Sequence, residues 1–161
     1  MALATVASWI ESTPPAQAIK ESFWLFPSIE TVHVFALALV FGTIAMVDLR
    51  ILGFVGRGLP VTRISREVLP WTWIGFAVAA VTGLLLFSSN AERYVTNLPL
   101  LVKLGLIALA GLNMAAFHVL AYRSVSAWDE GTAPVSARLF CAVSLILWIT
   151  IIALGRWIGF V

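Results

Sequence analysis

The chain has 161 residues, 61% hydrophobic and 11% charged, with a mean hydropathy of +1.00. Soluble domains carry roughly 25% charged residues, so this composition excludes an ordinary soluble protein and makes the lipid bilayer the expected partner. The formal charge of +2 comes from basic residues scattered over several loops, which is no nucleic-acid patch, and the lone Cys141 rules out an intrachain disulfide or a CxxC metal site.

Residues 1–10, MALATVASWI, lack a basic n-region and have only a short apolar core, which argues against a cleaved signal. Leu3, Val6, Trp9 and Ile10 instead suit a small interfacial helix that Pro14 and Pro15 end. Residues 17–24 then read as a second surface turn.

Pro27 is suited to a helix start, and the first span is expected over 27–52. Its apolar run holds His33, with Asp48 and Arg50 at the far end. At 100° per residue Glu30, His33 and Asp48 share one broad face. A connector follows over 53–69, with glycines at 53, 56 and 58, Pro60, and arginines at 57, 63 and 66. Val61, Ile64 and Val68 against Arg63, Arg66 and Glu67 predict a short amphipathic turn on the membrane surface. Pro70 opens the second span, 70–88, in which Gly75, Ala79 and Gly83 recur every fourth residue. That spacing suits close helix packing, and a small-residue face is also the expected contact of a homodimer.

A polar loop, 88–97, leads to the third span, 98–122, which carries Lys103, Asn113 and His118 inside apolar sequence. Lys103, Ile107, Ala110, Met114 and His118 fall on one helical stripe, which should face protein. A loop over 124–136 precedes the fourth span, 138–160, where Arg156 beside Trp157 can snorkel to the interface. The expected fold is therefore all-α, a four-transmembrane-helix bundle with short interfacial helices, one integral membrane domain over 1–161. Arg50, Arg57, Arg63, Arg66, Arg123 and Arg138 gather on one side against Lys20 and Arg93 on the other. In a bacterial inner membrane this predicts periplasmic termini.

His33 and His118 lie about 20 Å apart along the membrane normal, at 1.5 Å per residue, so they do not share one ion or one haem. The polar residues sort into two layers. Glu30, His33, Lys103 and Arg156 form one, and Asp48, Arg50, Asn113 and His118 the other. Buried charges need partners, so Glu30 is expected to pair with Lys103 or Arg156, and Asp48 with Arg50 or His118. Such layers serve equally as structural ties between helices. The functional readings are a haem b redox or electron-transfer protein with His33 or His118 as ligand and Met46 at the depth of His118, a proton, copper or other ion transport component, and a non-catalytic subunit or scaffold. HxxxH, HExxH and CxxC spacings are absent, as is any nucleophile and base at a recognisable spacing.

The stretches FWLFPSIETVHVFALALVFGTIAMVDLRILG, LPWTWIGFAVAAVTGLLLF and KLGLIALAGLNMAAFHVLAYRSVSAWD resemble a family of small bacterial four-helix membrane proteins of unknown function. The resemblance covers nearly the whole chain and implies fold and location. A histidine early in one span and a Lys then His in a later one, here His33, Lys103 and His118, is also similar to the copper-resistance D-type membrane domain and the HemJ-type protoporphyrinogen oxidase. The latter likeness implies haem b and a porphyrin or quinone partner, the former copper handling.

Overall fold

In a computed structural model, which describes residues 2–56 and 58–158, the chain is helical throughout, with no strand among the described residues. Arg57, the side chain of Leu3 and the end of the expected fourth span lie outside the described residues. Two short helices come first, α1 (Ala2–Glu11) and α2 (Pro14–Glu21). Pro14 and Pro15 do not merely end α1. They start α2, where the missing N–H groups belong to the first turn and would have no helical partner anyway.

Four long helices follow. They are α3 (Leu25–Leu52), α4 (Val61–Ser88), α6 (Leu98–Leu120) and α7 (Val135–Trp157), with the short α5 (Ala91–Val95) between α4 and α6 and a 3-10 helix, Tyr122–Ala127, between α6 and α7. Each long helix is long and apolar enough to cross a bilayer. The chain is a multi-pass membrane protein, and its outward faces fit that solvent: Phe35, Leu84, Leu112 and Ile146 are all exposed. With the lipid supplying the apolar surroundings, such side chains need no protein core to cover them.

Local chemistry sets the helix ends. The Ser22 hydroxyl accepts the Leu25 N–H at 3.2 Å and starts α3 two residues before Pro27. At the other end Gly53 adopts φ 86°, its N–H bonds Arg50 O, and the Phe54 N–H bonds Leu49 O at 3.0 Å. This paired pattern closes the helix through a left-handed residue that glycine adopts without strain.

The second span differs from expectation. Its helix begins at Val61, so the anticipated surface turn is the first part of α4, and Pro70 lies inside the helix instead of opening it. The cause lies far away in sequence. Asp129, in the loop after the 3-10 helix, accepts the Thr62 N–H at 2.8 Å and the Thr62 hydroxyl at 2.6 Å, while its own carbonyl accepts the Val61 N–H at 3.1 Å. A remote carboxylate thus caps α4 and lets the helix start nine residues before Pro70.

The packing order is α4 on α3, α3 on α7, and α7 on α6, whereas α6 and α4 do not pack along each other. Small residues make the α3–α4 contact close. A Cβ on Gly75 would lie 3.1 Å from the Val40 side chain and 3.3 Å from Ala36 O, and Ala79 beside it is buried. The Gly75, Ala79 and Gly83 face is therefore consumed within the chain, which removes it as the surface of the expected homodimer. α1 packs on α5 at the end of the bundle where the chain starts. There Glu11 accepts the Glu92 N–H at 2.8 Å and pairs with Lys20 at 3.2 Å. The Glu92 N–H, with Lys20 adding to it, holds the Glu11 carboxyl below its ordinary range.

Candidate functional site: a cleft between α4 and α6

The polar residues fall at two ends of the bundle. At one, His33 Nδ1 lies 2.9 Å from Thr82 Oγ1. The Thr82 hydroxyl gives its own proton to Val78 O at 2.7 Å, so His33 is the donor to Thr82. The imidazole also sits over Gly83, where a Cβ would come within 3.1 Å of it. Lys103 of α6 is its charged neighbour. The ammonium of Lys103 reaches the α7 backbone at Gly155, where a Cβ would stand 3.2 Å away. One residue from each of four helices thus meets at this end.

Glu30 does not join them. It is exposed, and the ion pairs among the described residues are Glu11–Lys20 and Arg63–Glu67. The expected pairing of Glu30 with Lys103 or Arg156 fails because Glu30 faces outward at the start of its span while Lys103 turns inward toward α7.

Asp48 lies about 22 Å from His33 along α3, at 1.5 Å for each residue between them. Between the two ends the helix contact is apolar, through Ala36, Val40 and Ala79, before the Thr72 hydroxyl donates to Thr43 Oγ1 at 2.8 Å. Asp48 is 7% exposed, and Ser144 and Cys141 on α7 turn their hydroxyl and thiol toward its carboxyl. Its Oδ2 is buried without a hydrogen-bond partner among the described residues.

Arg50 does not supply one. Two residues along a helix are about 200° apart, which sends the guanidinium to the opposite side. There Nε donates to Leu59 O at 2.8 Å and Nη2 to Asp129 O at 3.3 Å. Arg50, Leu59, Asp129 and Thr62 therefore bind the loops before α4 and before α7 into one unit. The two bonds from Thr62, hydroxyl first and then N–H, keep the Asp129 carboxyl below its ordinary range, with Arg50 adding to the effect.

Because α4 and α6 do not meet along their lengths, a cleft of about 540 Å³ opens between them, with α3 and α7 behind it. Asp48, Cys141 and Ser144 lie in its wall with Thr43 and Thr72, and Trp73, Phe76, Phe117, Phe140 and Trp148 line it as well. His118 lines the α6 side. Its Nδ1 is 2.9 Å from Met114 O, a pure acceptor, so Nδ1 is the donor of that bond. Tyr122 stands beside it, with ring centroids 5.2 Å apart. Asn113 faces the cleft too, but its amide donates to Phe140 O at 3.0 Å and so ties α6 to α7.

The haem ligand set expected from sequence is not gathered here. His33 is engaged with Thr82 at the far end, Met46 is 51% exposed on an outward face of α3, and only His118 lines the cleft. No lysine or arginine lines it to meet propionates, and no group of three potential metal ligands occurs among the described residues. The residues present give a haem one imidazole, with Met114 one turn away on the same helix instead of across the cleft, and no described cation for its propionates, which is a poor fit.

Sequence reasoning found Asp48, Asn113 and His118 as polar residues in apolar spans. It missed Thr82, Ser144 and Asp129. Hydroxyls at intervals in an apolar helix are a weak signal, and a loop aspartate gives no sign of which helix it caps.

A family model described as a family of unknown function, DUF6644, matches residues 25–161, and the chain belongs to that family. No curated protein and no solved structure matches the chain.

Proposed function

We propose that this member of the DUF6644 family binds a lipid-soluble small molecule in the cleft, and that the molecule enters sideways from the bilayer through the gap between α4 and α6. The observation that carries the reading is the cleft, whose volume of about 540 Å³ lies in the range of small-molecule sites. Its aromatic walls take a flat ring of quinone size, and its few polar groups fix the orientation of that ring. The apolar contact between the His33 and Asp48 ends favours a bound occupant over an ion crossing the bundle. Haem chemistry is not used in this reading, because the cleft offers a single imidazole.

The test uses the full chain in lipid nanodiscs with 1-naphthylmethanol, a neutral lipophile, measured by equilibrium dialysis against empty nanodiscs. Gly111 lines the cleft, and a Cβ there meets nothing within 4 Å. Gly111→Phe therefore adds a ring at the cleft lining from a position where the first side-chain carbon meets no neighbour. The wild-type chain should bind the probe saturably, and Gly111→Phe should weaken that binding at least about tenfold while remaining folded. Non-saturable uptake equal to that of empty nanodiscs would refute the reading.

A further inference from the structure

The cleft holds a buried carboxyl to which the described residues bring no cation. Asp48 is 7% exposed and its Oδ2 has no hydrogen-bond partner among the described residues. An ionised carboxylate in apolar surroundings is costly unless it meets a cation or donors on both oxygens. Arg50 is committed to Leu59 O and Asp129 O on the other side of α3. Among the described residues no lysine or arginine lines the cleft. Facing the carboxyl from α7 are Ser144 and Cys141, both neutral.

The rest of the wall complements a positive charge. Trp73, Phe76, Phe117, Phe140 and Trp148 all line the cleft. Aromatic faces attract cations, most strongly where water is excluded. A buried carboxyl oxygen without a partner among the described residues, aromatic walls and no lysine or arginine among the described lining together describe the counterpart of an organic ammonium ion with an apolar body.

We propose that Asp48 is the anchor for a lipophilic amine bound as its ammonium, an inference that rests on the cleft being a small-molecule site. The ammonium N–H donates to the Asp48 carboxylate, which turns its buried Oδ2 toward the cleft as the ligand binds, and the hydrocarbon body lies against the tryptophan and phenylalanine side chains. Ser144 and Cys141 position the carboxyl. A neutral ring of the same shape occupies the cleft but leaves Oδ2 unsatisfied, so it binds more weakly.

The test compares 1-naphthylmethylammonium with 1-naphthylmethanol on the full chain in nanodiscs, for wild type and Asp48→Asn. Asparagine keeps the shape and removes the charge. The wild type should prefer the ammonium, and Asp48→Asn should weaken ammonium binding at least about thirtyfold while leaving the alcohol within about twofold. If the alcohol binds and the ammonium binds no better, or if Asp48→Asn leaves ammonium binding unchanged, the amine assignment falls and the cleft reading survives. Should neither probe bind saturably, both fall.

A second measurement needs no variant. Dicyclohexylcarbodiimide, a lipid-soluble carboxyl reagent, should modify Asp48 of the wild-type chain, with the adduct mapped by mass spectrometry. The ammonium probe should slow that modification and the alcohol should slow it less. Modification at an equal rate with and without the ammonium overturns the assignment.

Discussion

Replacing Asp129 by alanine should loosen the end of the bundle that holds both long loops. The wild-type carboxylate takes two bonds from Thr62, at 2.8 Å from the N–H and 2.6 Å from the hydroxyl. The bonds to its backbone carbonyl from Val61 and Arg50 survive the substitution. Loss of a helix cap costs about 1 kcal/mol, and a hydrogen bond to a charged group about 1.5–3 kcal/mol. Since Asp129 is only partly buried and water can replace some of this, the expected loss is about 2 kcal/mol for Asp129→Ala, and less for Asp129→Asn, which retains an acceptor.

The pH dependence has a definite sign. A carboxylate whose folded pKa is depressed contributes stability above its unfolded value, near 3.9, and loses it as pH falls through the folded value. The difference between wild type and Asp129→Ala should therefore be full at neutral pH and shrink in acid. Equilibrium unfolding in mixed micelles measures the loss, and hydrogen exchange over residues 61–69 should speed up. A change below about 0.5 kcal/mol with unaltered exchange would refute the capping account, since that is the range of an ordinary surface substitution.

Gly75→Val should destabilise the chain by about 1–3 kcal/mol through overpacking against Val40 and Ala36. Gly42→Val, where a Cβ meets nothing within 4 Å, should be near neutral in the same unfolding assay. A double-mutant cycle on His33→Ala and Thr82→Ala should give a coupling near 0.6 kcal/mol, the size of an ordinary interhelical hydrogen bond in a membrane. A coupling several times larger would assign His33 a role beyond tying α3 to α4. Protein purified from haem-supplemented cells should show no Soret band, and a stoichiometric Soret band lost in His118→Ala would reverse the judgement on haem.

The number and rough extent of the spans were legible because a bilayer imposes a length on apolar runs, and each run here is bounded by prolines or charges. The start of α4 was not legible, because Pro70 is the visible local signal while the cap comes from Asp129, 67 residues beyond Thr62. The ion pairs were misread for a related reason. Depth along a helix follows from counting residues, but the direction in which Glu30, Arg50 and Lys103 reach depends on which helices are neighbours. The glycine spacing in the second span announced close packing without naming the partner, and α3 took that face. The cleft exists because α4 and α6 do not pack along each other, a property of the arrangement that no single segment carries. Asp48 and His118 stood out as costly residues in apolar sequence, and only the packing order brings both to one space.

Photolabelling tests the cleft most directly. A neutral diazirine-bearing naphthalene, activated in nanodiscs holding the full chain, should mark Trp73, Phe76 and Met114 in the cleft wall, and unlabelled 1-naphthylmethanol should suppress those adducts saturably. Adducts spread over the outward residues Phe35, Leu84 and Ile146, with no suppression by the competitor, would contradict a binding site between α4 and α6.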